Sequence, residues 1–308
     1  MRGVSSRTKE LIKFCWELLK DLYPMTLRQL HYAIFSRDEI DYTNTEKDYR
    51  RLSRVTTEAR REYRAWELSG LTEECDPPEL SFPGSWIVDE TREAESVNVW
   101  EDASAYIDTV KRAYRRDNWQ EQKNYCEIWS EKATVLSSIR PIANKWGVTL
   151  RVCHGFSSTG METDTGYLFG GIDKDITVFY LGDHDPSGHC IECDVHQRVQ
   201  RSSGRTFRMV RLAIHPEDIE KFDLPPQLIK STDTRAQSFR AKYGNDAATV
   251  ELDALPVDEL RDRIEDAVKG LLDIEAWNHQ VQIQKVEFES IARIANTIKN
   301  LPHGNTRA

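Results

Sequence analysis

Nowhere does this chain gather an apolar run approaching the roughly 18 residues that a membrane-spanning helix needs, so no membrane segment is expected. It shows no charged-then-apolar amino-terminal signal either, and the protein is expected in the cytoplasm. Cysteine is too sparse for a disulfide framework: Cys15, Cys75, Cys126, Cys153, Cys190 and Cys193 are scattered through 308 residues. Cys190-Ile-Glu-Cys193, followed by His196, would line one side of a helix. No second ligand pair stands at a fitting distance, which favours buried or idle thiols over zinc. Positive charge is not in excess. Lysine and arginine number 42 against 51 aspartate and glutamate, a formal balance of −9. That argues against indiscriminate binding to nucleic acid but leaves room for a local basic face. Repeats, low-complexity segments and a glycine-rich nucleotide loop are also lacking.

A hydrophobic content of 39% supports ordinary cores, and 30% charged residues make a wet surface. The length suggests about two domains. Leu11, Cys15, Leu18, Leu19 and Leu22 recur at helical spacing over 8–22, and Pro24 ends that helix. Thr26 reads as the N-cap of a second helix, from Leu27 to about Arg37. A turn-rich piece leads to a third, from Glu46 to about Trp66. Three such helices with a polar corner predict a helix-turn-helix or winged-helix module over 1–74.

Three prolines and a glycine between Cys75 and Trp86 predict a linker. With a helix near Ala103–Trp119, it makes 75–120 a connecting segment. Strands and helices then alternate over 121–308. Strands are expected at Tyr125–Glu131, Thr149–Cys153, Ile176–Gly182 and Phe207–Ile214, and helices at Ala133–Trp146 and from Gly188. Alternation of this kind predicts a parallel sheet in an α/β domain. Two tail helices over 256–299 are expected to close it.

The most informative stretch is Ile176-Thr-Val-Phe-Tyr-Leu-Gly-Asp183-His184-Asp185-Pro186-Ser187-Gly188. A β-branched run reads as a buried parallel strand, and its carboxyl end is where open α/β sheets place ligands. On an extended chain Asp183 and Asp185 point the same way. Such a pair is tolerable mainly with a cation between, and hard carboxylate oxygens suit Mg²⁺. Glu131 stands where an earlier strand meets its helix. If the two strands are neighbours, Glu131, Asp183 and Asp185 meet at one rim, a platform for phosphate chemistry.

Two further constellations stand out. On the helix that Thr26 starts, Tyr32 falls roughly opposite the Leu27–Leu30–Ile34 stripe, with Arg28 one turn behind it. It is either a snorkelling tyrosine or a nucleophile beside a phosphate-steering arginine. On the third helix, Lys47, Arg50, Arg54 and Arg61 share the face opposite Tyr49, Leu52, Thr56, Ala59 and Tyr63. That face is either solvated or a contact for a DNA backbone. A second basic run, Arg198, Arg201, Arg205, Arg208 and Arg211, could bring DNA toward the Asp pair.

Gly182-Asp-His-Asp-Pro-Ser-Gly188 together with Ser130-Glu-Lys132 resembles a TOPRIM domain. Joined to Leu27-Arg-Gln-Leu-His-Tyr32, it resembles the A subunit of type IIB DNA topoisomerases and the related meiotic double-strand-break proteins. Glu251-Leu-Asp-Ala-Leu255 is similar to that family's late TOPRIM region. The resemblance implies a winged-helix tyrosine domain followed by a TOPRIM-type domain, with Mg²⁺ held by Glu131, Asp183 and Asp185. It implies that Tyr32 attacks a DNA phosphodiester and becomes linked to a 5′ phosphate, with Arg28 assisting. It also implies a homodimer on double-stranded DNA, one protomer's tyrosine acting at the other's metal site. ATP-driven strand passage would need a separate ATPase subunit. Two rival expectations are a TOPRIM nuclease using metal-activated water and a non-catalytic DNA-binding regulator.

Overall fold

The computed structural model describes residues 5–69, 75–88, 97–153, 159–227 and 235–299. Helix α1 (Ser6–Leu22) is capped by the Ser5 side chain and buries Leu11, Cys15, Leu18 and Leu19, the stripe its spacing predicts. A two-residue strand, β1 (Met25–Thr26), leads into α2 (Leu27–Phe35), and Thr26 and Gln29 form a reciprocal capping box at its start. Helix α3 (Glu46–Leu68) buries Leu52, Val55, Thr56 and Ala59.

The segment expected to be a linker packs instead. Phe82 is fully buried and stacks on Trp86, and β2 (Ile87–Val88) pairs in parallel with β1. Pro83 begins a 3-10 turn at Gly84–Trp86, and the prolines do not prevent apolar burial. Residues 89–96 of the expected connecting segment lie outside the described residues. Helix α4 (Ala103–Ala113) stops short of Trp119.

The alternating part follows: β3 (Asn124–Ser130), α5 (Ala133–Trp146), β4 (Thr149–Val152), α6 (Thr159–Gly171), β5 (Asp175–Leu181), α7 (Pro186–Ser203) and β6 (Arg208–Ala213). Helix α6 is not announced by the sequence pattern. Its glycines depress helix propensity, and of its buried residues Thr165, Gly166 and Phe169 only Phe169 carries a large apolar side chain, so the buried stripe is not an apolar one. Gly166 explains its place. A Cβ there would lie 2.2 Å from Ser202 Oγ, so glycine permits the close approach to α7.

After β6 come α8 (Pro216–Lys221), α9 (Ala236–Tyr243), a 3-10 turn at Leu252–Ala254, α10 (Val257–Lys269) and α11 (Ile274–Lys299). The fold is mixed α/β with parallel strand pairing, β3 with β4 and β5 with β6. No described helix is long and apolar enough to cross a membrane.

The chain divides into two compact units, 1–92 with 126–269, and 93–125 with 270–308. This differs from the limits expected after 74 and 120. The amino-terminal helices share a unit with the sheet because buried polar contacts tie them to α5 and α10. Gln29 Nε2 donates to Ser138 Oγ at 3.0 Å. The Arg261 guanidinium donates to the carbonyls of Ser138, Leu22 and Pro24. Of the two tail helices, only α10 belongs to that unit. In the other unit, Arg116 pairs with Glu287 at 2.7 Å, and Trp119 meets Trp277 edge-on at 6.0 Å between centroids.

Sheet order decides where a ligand could sit. The four strands run β4-β3-β5-β6. From β3 the chain crosses to one side, and from β5 to the other. The gap between the carboxyl ends of β3 and β5 is therefore the topological switch point, where open α/β sheets form a crevice.

Candidate functional site

Glu131 directly follows β3 and Asp183 follows β5 by one glycine, so both stand at that gap. Glu131 N donates to Leu181 O at 2.9 Å, and Glu131 Oε2 accepts from Asp183 N at 3.2 Å. Asp185 is the N-cap of α7, accepting from Gly188 N at 2.6 Å, with Pro186 in the first turn. Gly188 is required by this turn, because a Cβ would lie 2.5 Å from Asp183 O and 2.9 Å from Glu131 Oε2.

A long-range bridge enlarges the site. His184 and Val250 exchange backbone hydrogen bonds at 2.9 and 3.0 Å. That lays Glu251-Leu-Asp253 alongside the Asp183 turn, and Leu252 N donates to Asp183 Oδ1 at 2.7 Å. Lys132 Nζ then lies 3.0 Å from Asp183 Oδ1, 3.0 Å from Asp253 Oδ2 and 3.6 Å from Glu251 Oε2. Glu251 Oε2 also takes Arg28 Nη1 at 3.0 Å.

Glu251, Asp253 and Lys132 join this cluster although spacing alone does not single them out. The acid-x-acid repeat of Asp183-x-Asp185 at Glu251-x-Asp253 was a usable signal. The bridge that joins the two was not.

The electrostatics follow from crowding. Burial, and then the charges of Asp183 and Asp185, push the Glu131 carboxyl up to about 7. Burial also raises Asp183, against the opposing pull of Lys132 and the Leu252 N–H. Burial disfavours the Lys132 charge, but Asp253, Asp183 and Glu251 outweigh it and hold the ammonium protonated. Four carboxyl groups (Glu131, Asp183, Glu251 and Asp253) thus crowd around two cations, Lys132 and Arg28, and Asp185 adds a further negative charge beside Glu131. Asp253 Oδ1 is buried without a hydrogen-bond partner.

This excess of hard oxygen donors fits a divalent ion in chemistry. It does not yet fit in geometry. Among the described residues no three His, Cys, Asp or Glu side chains converge to hold a metal. The cause is visible in the bonding. Asp183 turns toward Lys132 and Leu252, while Asp185 turns toward Gly188. Its capping role separates Asp185 from the parallel orientation that an extended chain predicts.

The raised Glu131 carboxyl has a measurable consequence without metal. The unfolded chain ionises this group near 4.5 and the folded chain only near 7, so folding holds the proton across that window. Stability from this group is full below about 4.5 and lost as pH rises through about 7. In chelator-containing buffer, wild type should therefore lose melting temperature relative to Glu131→Gln across that range. A difference that stays constant with pH would mean Glu131 ionises as freely folded as unfolded.

Tyr32 departs from expectation. It is only 4% exposed rather than held out on a polar face. Helix α2 is packed on both sides: Leu30 and Ile34 enter the helical core, and the opposite side meets the Leu252–Ala254 turn. Burial and the Glu251 charge raise the phenol above its ordinary range. Arg28, one turn behind Tyr32 on the same helix, draws the phenol downward by its charge. Arg28, Tyr49, Arg60, Lys132, Glu251 and Asp253 line an open cleft of about 730 Å³.

No protein-family model matches the chain, and no curated protein does.

The basic residues divide. Lys47, Arg50, Arg54 and Arg61 are all exposed on α3, Arg50 being paired with Glu46. The second basic run is in part internal. Arg211 donates through Nη1 to Gly182 O at 3.0 Å and through Nε to Glu192 at 2.7 Å, and so braces the Asp183 turn. Arg205 donates to the carbonyls of Phe169 and Lys174. Arg198 pairs with Asp194 at 2.9 Å. His196 is committed to the Phe207 carbonyl at 3.0 Å rather than to the neighbouring thiols.

Proposed function

We propose that this chain is a Mg²⁺-dependent DNA-cleaving transesterase resembling the A subunit of type IIB topoisomerases. In this reading a winged-helix-like amino-terminal module and a TOPRIM-type site act together, as a homodimer on double-stranded DNA. One observation supports it above the rest. The Arg28–Tyr32 pair and the Glu131–Asp183 pair reach a single carboxylate cluster at the sheet's switch point, joined through Glu251 and Lys132.

Glu131, Asp183 and Asp185 would hold the ion, which supplies neutralisation of phosphate oxygens and stabilisation of the departing alkoxide. Tyr32 Oη would bond to phosphorus as the bond to the 3′ oxygen breaks. The 5′ phosphate stays on the tyrosine and a 3′ hydroxyl is left free. Arg28 would carry part of the phosphate charge, and Lys47, Arg50, Arg54 and Arg61 would position the DNA backbone. Rejoining is the reverse step, and strand passage would need a separate ATPase subunit.

The deciding experiment denatures a cleavage reaction containing 3′-end-labelled DNA and Mg²⁺. Label should remain covalently on wild type and be lost with Tyr32→Phe. A second reading, hydrolysis by metal-activated water, is favoured by the burial of Tyr32 and its raised phenol. Cleavage that survives Tyr32→Phe, with no label retained by wild type, would select it. Nicking absent over a range of Mg²⁺ and Mn²⁺ would sink both and leave a DNA-binding regulator.

A further inference from the structure

Lys132 presents a contradiction within the site. Its ammonium takes one of the Asp183 oxygens at 3.0 Å, the carboxylate that a metal would need. It is withdrawn from solvent, the side chain being 22% exposed, and it is ringed by Asp183, Asp253 and Glu251. Removing one partner of a buried charge cluster is costly, because the remaining charges lose their compensation. One cation must therefore stand here, the ammonium or a metal ion in its place. Lys132 also lines the cleft shared with Arg28 and Arg60, so its long stem offers the ammonium a second place to go.

We infer that Lys132 and a divalent cation compete for Asp183: the ammonium holds the carboxylates together in the metal-free protein, and yields Asp183 to the ion. The released ammonium then faces the cleft, where a phosphodiester would meet it beside Arg28. This rests on the metal reading above and deepens it by naming what metal must displace. It also accounts for the missing convergence of carboxylates. Asp183 is turned away because its counter-ion is a side chain of the same chain. Arg28 does not take this place, because it reaches the cluster through Glu251, and Glu251 is shared with Lys132.

The test measures Mn²⁺ binding to the full chain by the loss of free-ion paramagnetic resonance signal. Wild type, Lys132→Met, Lys132→Arg and Lys145→Met are compared. Methionine keeps the stem and removes the charge, so Lys132→Met should bind Mn²⁺ about tenfold tighter. It should melt lower than wild type in chelator and recover with Mn²⁺. Lys145, which pairs with Glu265 at 2.8 Å, controls for a general loss of positive charge, and its variant should match wild type.

Unchanged or weaker Mn²⁺ affinity in Lys132→Met overturns the inference and leaves the metal reading standing. So does equal tightening in Lys145→Met. If Lys132→Met does not fold even with Mn²⁺, Lys132→Arg decides. It keeps the charge and can fork across two carboxylates, so it should bind Mn²⁺ no more tightly than wild type, and tighter binding overturns the inference. Absence of Mn²⁺ binding in every variant overturns both readings. Tighter binding in Lys132→Met, with no DNA cleavage by wild type, sinks the cleavage reading alone.

Discussion

Asp185→Ala and Asp183→Ala are expected to abolish DNA cleavage alike and to differ sharply in stability. Spacing alone predicts that both spare the fold, since each removes a charge from a repulsive pair. The structure gives the two residues different tasks. Asp185 is a partly exposed N-cap whose carboxylate serves Gly188 N, so its loss should cost about 1 kcal/mol. Asp183 is 8% exposed, and its Oδ1 serves both Leu252 N and Lys132. Alanine there leaves a buried N–H without its acceptor and a half-buried ammonium short of one carboxylate. The expected loss is about 2–4 kcal/mol. Cleavage, read as label retained on the protein, should fall by about a thousandfold or more in each, on the scale of losing one electrostatic stabiliser. Denaturant unfolding in chelator checks the stability difference. An Asp183→Ala protein as stable as wild type would mean that the Lys132 and Leu252 contacts carry no weight, and would remove the structural basis for treating the cluster as one unit.

Gly188→Ala should do more damage than its single methyl suggests. The added Cβ would meet the Asp183 carbonyl at 2.5 Å and Glu131 Oε2 at 2.9 Å. Backbone cannot swing aside as a side-chain tip can, so the turn must open and carry Asp183 and Asp185 with it. The expected cost is about 1–3 kcal/mol, the usual range for overpacking, together with loss of cleavage. Gly171→Ala is the matched control, since nothing lies within 4 Å of a Cβ there, and it should melt at or above wild type. A Gly188→Ala protein that melts with wild type and still cleaves would show that the turn tolerates a geometry other than this one.

Local patterns were legible wherever one residue type had one local cause. The Thr26 cap, the α1 stripe and the whole of Ala133–Trp146 follow from apolar period and end signals, and they appear where expected. Helix α6 was hidden because its glycines serve a contact with α7 and weaken the periodic signal. Tyr32 was misplaced because a helical wheel assumes one buried face, and α2 has neighbours on both. Arg205 and Arg211 looked like surface charge, yet they satisfy carbonyls at strand and helix ends. The Pro-rich stretch predicts a linker because proline reports on chain direction and says nothing about whether Phe82 finds a core.

From its own order of residues, the chain determined an alternating α/β segment with acids at the ends of two strands, preceded by three amphipathic helices. Those features depend on neighbours within about a turn or a strand, which a sequence displays directly. Only the tertiary structure decided that β3 and β5 are adjacent, that the His184–Val250 bridge adds Glu251 and Asp253, and that Lys132 stands in the centre as their common cation. Strand order and long-range pairing are chosen by burial and hydrogen bonding across the whole chain. The counter-ion of a buried carboxylate is therefore settled only once every element is in place.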